Sequence, residues 1–488
     1  MLFPLEAILF FAYIICGFCA CAVFPWDKLD IPGKLCDILA LIMIISGPLF
    51  LVAAILWHLY ASAVAVVKTA ETKREKALID AVNFSGEDSL FAKGHNDPQL
   101  GTAVTAAKRM IRQAVDRHCS DIFIDPQPSG NYTIRMRIDG GVRQTGTLDY
   151  DLAKKVLSTL KVISRMDISE HRRPQDGSFS AYIDDEPLSF RVATVGAYAG
   201  EKMSIRILGS SAGPKSLKDM KMDAGDLEVI ERAIKLPSGL VLICGPTGSG
   251  KTTSLYAMLK SIDFSLKNVI SIEDPIENII PQISQIEVNQ KAGISFAQLL
   301  RNSLRQNPDV ICLGEIRDEE TAGIAVRAAQ TGHLIIATLH SNDNLGTVDR
   351  LQNLGVPLRT IAGALHVVIS QRLVRTLCPH CKQQTELPAE YVEYFDAAGF
   401  PKNNIFVPCG CPACDGTGFS GRQGIFDIMI MNSQLRQLLE AEGATLSSIQ
   451  EYINSEHGSS IMAYKGFRLA AEGMTSIDEV NRVTMNMG

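Results

Sequence analysis

The chain contains no run of five or more Lys and Arg, and its formal net charge is −6 with a pI near 5.9. Nucleic acids are held chiefly by clustered cations, so they are excluded as the main partner. No Lys or Arg precedes the first apolar run, and a cleaved signal peptide needs that positive start. Internal repeats and low-complexity segments are missing too, which excludes a solenoid or a compositionally biased tail as the organising feature. Charge is scarcest in two places: Leu5 to Phe24 carries only Glu6, and Ile38 to Tyr60 carries no formal charge.

Both stretches reach the roughly 20 apolar residues that a helix needs to cross a bilayer. Trp26, Trp57, His58 and Tyr60 sit at their ends, where amphipathic rings prefer the headgroup layer. The Gly47-Pro48 step is tolerated in a membrane helix because neighbours satisfy the freed backbone groups. Lys28 and Lys34 are the cations between the stretches, whereas Lys68, Lys73, Arg74 and Lys76 follow the second one closely. Positive charge stays inside, so the sequence predicts a transmembrane hairpin over 1–68 that leaves everything after it in the cytoplasm.

A charged, weakly periodic linker is expected over 69–98. Ala103, Val104, Ala107, Met110, Ile111, Ala114 and Val115 then lie at helical spacing, and "TIRMRIDGGVR" alternates Ile134, Met136 and Ile138 with arginines before an Asp-Gly turn. This predicts an α+β domain over 99–208. A second linker, 209–225, contains the small residues of "GSSAGPKS". Beyond it, "GLVLIC", "NVISIEDP", "DVICLGE" and "HLIIATLHS" are short apolar runs separated by helix-like stretches, the pattern of a parallel sheet. From Ser433 onward short amphipathic helices are expected.

Gly245, Pro246, Thr247, Gly248, Ser249, Gly250, Lys251 and Thr252 spell G-x-x-x-x-G-K-T between an apolar strand and a helical run, with Thr253 next. The glycines let backbone N–H groups close around phosphate oxygens at a helix N-terminus. Lys251 is expected to reach the β and γ phosphates, and the Thr252 hydroxyl to ligate Mg²⁺. The predicted ligand is ATP with Mg²⁺. Glu273 and Asp274 end one apolar run, and Glu315 and Asp318 follow another; strand ends of this kind converge on the ligand in a doubly wound sheet. His340 ends a further strand and His333 starts it, and a neutral imidazole at the strand end could sense a γ-phosphate.

Twelve cysteines are present, and a cytoplasmic setting argues against a disulfide framework. Cys378, Cys381, Cys411 and Cys414 form two C-x-x-C knuckles with 29 residues between Cys381 and Cys411. Paired thiolates on tight turns suit a closed tetrahedral Zn²⁺. A redox pair would need only one C-x-x-C and a thioredoxin-like context. Cys409 is extra and blurs the third ligand.

With these motifs in order, the chain resembles the traffic ATPases of type II secretion and type IV pilus assembly. "GPTGSGKTT" resembles their Walker A, "IEDPIE" their aspartate box, "ICLGEIRDEETA" their Walker B and "TGHLIIATLHSND" their histidine box. The resemblance covers the chain from about residue 99 to its end. It implies a RecA-like ATPase core over 226–376, preceded by a PAS-like N-terminal domain. A tetracysteine zinc module over 377–424 and a helical region over 425–488 follow the core. It also implies a homohexamer, with ATP between the N-terminal and core domains of neighbouring subunits, acting on an inner-membrane platform protein. Glu273 and Glu315 would divide Mg²⁺ coordination and water activation, and Arg191 in "LSFRVAT" would reach the triphosphate.

Two positions depart from the family pattern: Ser178 stands where Arg commonly follows PQDG, and Phe123 where His is common. Arg172, Arg173 and Arg206 are the candidates to replace the missing arginine. Assembly members of the family commonly carry the tetracysteine module. The membrane hairpin is unusual, since family members mostly dock from the cytoplasm. The expected function is an ATP-hydrolysing motor at the inner membrane. The alternatives are a type IV secretion or conjugation ATPase and an ATP-gated membrane scaffold.

Overall fold

The computed structural model describes residues 81–84, 98–184, 186–208, 216–289, 292–457 and 461–484. The chain divides into two units, Met1–Asn83 and Phe84–Gly488, and nearly all described residues belong to the second. The predicted transmembrane hairpin lies outside the described residues. Among the described residues, no helix is long and apolar enough to cross a membrane.

After the short strand β1 (Val82–Phe84), the N-terminal domain runs α1 (Pro98–Asp116), β2 (Asp121–Pro126), β3 (Tyr132–Ile138), β4 (Gly141–Leu148), α2 (Tyr150–Ile163), β5 (Gln175–Ile183), β6 (Glu186–Ala197) and β7 (Gly200–Leu208). Its antiparallel strands lie in the order β5-β6-β7-β2-β3-β4. Alternate residues point to opposite faces. Ile122, Ile124, Met136, Phe190, Val192, Met203 and Ile205 are therefore buried, while the intervening arginines point out. α1 buries Ala103, Ala107, Met110, Ile111 and Ala114, the face its periodicity predicts. Asp149 caps α2 by accepting from the Leu152 N–H at 2.9 Å, filling a donor that the first helical turn leaves open.

The central region follows with α3 (Ala224–Ala233), β8 (Gly239–Cys244), α4 (Lys251–Lys260), β9 (Val269–Glu273), β10 (Ser284–Glu287), α5 (Phe296–Ser303), β11 (Val310–Leu313), α6 (Glu319–Gln330), β12 (Leu334–Leu339), α7 (Asn344–Asn353), α8 (Leu358–Ala364) and the long β13 (Leu365–Leu377). The chain then makes β14 (Gln383–Thr385), α9 (Ala389–Ala398), β15 (Ile405–Val407), β16 (Phe419–Ile430), α10 (Ser433–Glu440), α11 (Leu446–His457), α12 (Ile461–Ala471) and α13 (Ile477–Thr484).

The sheet order is β10-β9-β11-β12-β8-β13-β16, parallel from β10 to β13, with β16 antiparallel to β13. β8, β9, β11 and β12 are buried along their whole length, because helices cover both faces; this is why they read as unbroken apolar runs. The parallel arrangement brings their carboxyl ends to one edge. The expected boundary at 424 falls inside β16, which adds to the parallel sheet and returns the chain from the cysteine module to the core.

Candidate functional site

At the end of β8 the chain turns through Gly245, Gly248 and Gly250, with φ of 146°, 80° and 89°. These angles favour glycine, and at Gly245 an added Cβ would also lie 2.5 Å from the Gln371 carbonyl oxygen. Gly250 caps α4 without any side-chain hydrogen bond, so no side chain blocks the backbone N–H groups of the first turn. The Ser249 hydroxyl is buried and has no hydrogen-bond partner. Lys251 points into the loop and donates to the carbonyls of Gly245 at 2.7 Å and Pro246 at 3.1 Å. Burial lowers its pKa, and the nearby Arg372 charge adds to that shift. A short buried cation, an orphaned hydroxyl and an open helix start together fit a polyphosphate. Thr252 is half-buried on the first turn, while Pro246, Thr247 and Thr253 are exposed.

The carboxylates separate by environment. Glu273, at the end of β9, is buried and accepts from Tyr256, from Ser271 at 2.7 Å and from Gln285 at 3.0 Å. Glu315, just past β11, pairs with the Arg317 guanidinium, and its other oxygen lies 3.6 Å from His340 Nε2. Arg317 also reaches Asp274 at 3.3 Å, so one guanidinium bridges the ends of two strands. Burial lowers the His340 pKa and Lys251 adds to the effect, against an opposing pull from Glu315. The shift favours the neutral ring. Lys251, Glu315, Arg317, His340 and Asp274 thus meet at one edge of the sheet.

Asp318 and His333 are placed elsewhere. Asp318 caps α6, accepting from the Thr321 N–H at 2.8 Å and hydroxyl at 2.9 Å. His333 precedes β12, at the opposite end of the strand from His340, and contacts the Ala328 carbonyl.

In the N-terminal sheet, register puts Ser178 beside Arg191, Arg191 beside Arg206, and Arg206 beside Asp121. Cross-strand neighbours share a face. Arg206 pairs with Asp121 at 2.9 Å, whereas Arg191 is exposed and makes no ion pair among the described residues. Arg172 and Arg173 instead lie on a turn whose N–H groups donate to Glu170, off this row. Of the three candidates to replace the arginine absent at Ser178, only Arg206 stands in the row with Arg191. Its charge also reaches Glu277 of the same chain: burial raises the Glu277 pKa, Glu273 adds to the rise, and Arg206 opposes it.

The sulfurs of Cys378, Cys381, Cys411 and Cys414 all lie within 4.8 Å of one another. Separations of 3.9 Å for Cys378–Cys411 and 3.8 Å for Cys381–Cys414 match the roughly 3.8 Å edge of a tetrahedron with Zn–S near 2.3 Å. N–H groups of Gly410, Cys411 and Gly418 point at the sulfurs, the donors that a thiolate cluster needs. The donor set fits a soft tetrahedral metal. Cys409 is exposed and outside the four.

Sequence reading passed over Tyr256, Glu277, Arg317, Gln371 and Arg372. The stretch "SQRLVR" held a signal, since polar residues interrupt an otherwise apolar strand. Gln371 is buried, its side-chain oxygen accepts from the Ser254 hydroxyl at 2.5 Å, and Arg372 donates to the Asn342 carbonyl at 2.5 Å. Gln371 lies against the phosphate loop, its carbonyl beside Gly245 and its side-chain nitrogen beside Gly250.

Residues 98–482 match the family described as Type II/IV secretion system protein. The type IV pilus assembly ATPase PilB of Pseudomonas aeruginosa is 38% identical over 412 residues, covering 83% of this chain and 71% of PilB. The type II secretion system ATPase E of Vibrio cholerae is 38% identical over 375 residues, covering 77% of this chain and 74% of that protein. Among solved structures, the Legionella pneumophila ATPase DotB aligns with a TM-score of 0.57 at 20% identity, covering 77% of this chain and 94% of DotB. The pilus retraction motor PilT with bound ADP aligns at 0.52 and 23% identity, covering 76% of this chain and 95% of PilT. These likenesses show a shared α/β ATPase fold.

Proposed function

The chain belongs to the Type II/IV secretion system protein family, and from that premise we propose that it is an ATP-hydrolysing motor driving assembly of a type IV pilus or a type II secretion pseudopilus. The observation that carries this is the meeting of Lys251, Glu315, Arg317 and His340 beside an open phosphate loop. Lys251 and the loop N–H groups bind the triphosphate. Thr252 and a strand-end carboxylate hold Mg²⁺, whose chemistry is to neutralise phosphate charge. Glu315, less enclosed than the fully engaged Glu273, accepts the proton of the attacking water. Neutral His340 hydrogen-bonds near the γ-phosphate without adding charge, and Arg191 with Arg206 supplies cations from the N-terminal domain.

The four cysteines hold Zn²⁺ as a structural ion. The working form is a homohexamer at the cytoplasmic face of the inner membrane, engaging a membrane platform protein. The apolar stretches near the N-terminus, Leu5 to Phe24 and Ile38 to Tyr60, tether it there. Steady-state phosphate release tests the motor against a scaffold that binds without turnover. The wild type should turn over, Glu315→Gln should bind ATP yet lose roughly 100-fold or more in rate, and Lys251→Ala should lose binding itself. Near-normal release from Glu315→Gln would remove Glu315 from its role.

A further inference from the structure

β13 leaves the phosphate site and runs directly into the cysteine module. Ser370 pairs with Cys244, Gln371 lies against Gly245 and Gly250 of the loop, and Cys378 follows the last residue of the strand. β16 returns from the module at Phe419 and pairs with β13 from Leu377 back to Val367. The nucleotide site and the four sulfurs are thus joined by a two-stranded ribbon.

At the far end, the module meets the N-terminal domain. Arg143 Nη1 donates to the Asp415 carbonyl at 3.2 Å, and Arg117 Nε lies 3.7 Å from the Asp415 carboxylate. Asp139, in the β3–β4 turn with φ 48°, accepts from the Gly421 N–H at 3.1 Å and faces Arg422 Nε at 3.8 Å. Gln423, buried beside them, donates to the Met220 and Lys221 carbonyls in the segment that leads into the ATPase region. Asp415 directly follows Cys414, so the knuckle that holds the sulfurs also aims this contact. Each part-exposed ion pair is weak by itself. Their convergence on one small module gives them a shared geometric effect that none has alone.

We propose that the cysteine module is a strut setting the angle between the N-terminal domain and the ATPase core, with Asp139 and Arg143 as positioning residues for the arginine row. This rests on the reading above that Arg191 and Arg206 serve the triphosphate. The row lies on the sheet whose hairpin turn, Asp139 with Gly140, the strut grips; tilting that hairpin tilts the row.

The test uses the full-length chain in detergent. Asp139→Gly removes the acceptor while keeping a residue suited to positive φ, and it is combined with Arg143→Ala. Losing a contact of about 1 kcal/mol corresponds to about fivefold, so amide exchange at Gly421 should speed up about fivefold and kcat should fall by a similar factor. KM for ATP and zinc content should stay unchanged, and Arg143→Lys in place of Arg143→Ala should restore most of kcat. Faster Gly421 exchange with kcat within about twofold of wild type would overturn the proposal. So would unchanged exchange, or a fall in kcat that appears only together with zinc loss. Arg191→Ala is measured alongside. If it hydrolyses ATP normally, the reading of the arginine row falls, while the exchange data still decide whether the strut contact exists.

Discussion

The Tyr256 hydroxyl donates to the Glu273 carboxylate in the buried floor of the nucleotide site, and the same hydroxyl oxygen accepts from the Asn278 N–H at 3.2 Å. Burial pushes the Tyr256 pKa well above its usual value, and the Glu273 contact pushes it further, so the hydroxyl remains a donor at every pH the protein meets. With Ser271 and Gln285 also donating, Glu273 is held in one orientation.

Removing that hydroxyl leaves a buried carboxylate oxygen short of a donor. Tyr256→Phe should cost about 1–3 kcal/mol, measured by the shift of the denaturant midpoint. Phosphate release should slow more than KM for ATP changes. Unaltered kcat would show that the orientation of Glu273 does not matter for hydrolysis.

Glu479 ties α13 to β13. Its carboxylate accepts from Arg375 Nη2 at 2.7 Å and Arg482 Nη2 at 2.7 Å, and it is 1% exposed. Burial alone would raise its pKa, but the Arg482 and Arg375 hydrogen bonds win and bring it down to about 2. A folded-state pKa below the unfolded one stabilises the fold above the usual value of 4.5, and this contribution is lost as pH falls from there toward 2. Glu479→Gln should destabilise by about 1–3 kcal/mol at pH 7, because two charge-assisted hydrogen bonds are weakened while water still reaches the part-exposed Arg375 and the exposed Arg482. The variant's stability should also change less between pH 5 and pH 2 than that of the wild type. Parallel pH profiles would refute this assignment.

Metal analysis of protein purified without chelator should find about one Zn²⁺ per chain, as four convergent thiols require. Cys378→Ser should abolish it and raise proteolysis within residues 376–424, while ATP binding stays measurable because the phosphate loop is built on β8 and α4. Finding no zinc would refute the structural-ion reading.

The proposed N-terminal tether predicts that full-length protein resists alkaline extraction from membranes. A fragment starting near Gln99 should be soluble, bind ATP and hydrolyse it slowly, since a tether raises effective concentration at the platform and adds no chemistry. Release of the full chain at high pH would mean that the apolar stretches do not span.

The phosphate loop, the two carboxylate-bearing strand ends, His340 and the paired cysteine knuckles were all legible in the sequence. Each is a local pattern: glycines where the backbone needs positive φ, acids directly after buried apolar runs, and thiols at turn spacing. Parallel strands end at one edge whatever their order, so listing the strand ends was enough to assemble much of the site. Local pattern did not separate Glu315 from Asp318, which follow the same strand; the Asp318 side chain caps α6.

What only the tertiary structure decided depends on which strand lies beside which. Arg206 was separated from Arg172 and Arg173 by cross-strand register, a relationship between residues far apart in the chain. Tyr256 finds Glu273 because α4 packs on the sheet that also contains β9, and Arg317 bridges Glu315 to Asp274 because β11 pairs with β9. Gln371 supports the phosphate loop because β13 adds beside β8, and the cysteine module reaches the N-terminal domain because β16 folds back along β13. A sequence states which side chains exist and how each segment prefers to bend. Pairing partners are chosen by the burial of all strands at once, so contacts between distant segments emerge only when the whole core has packed.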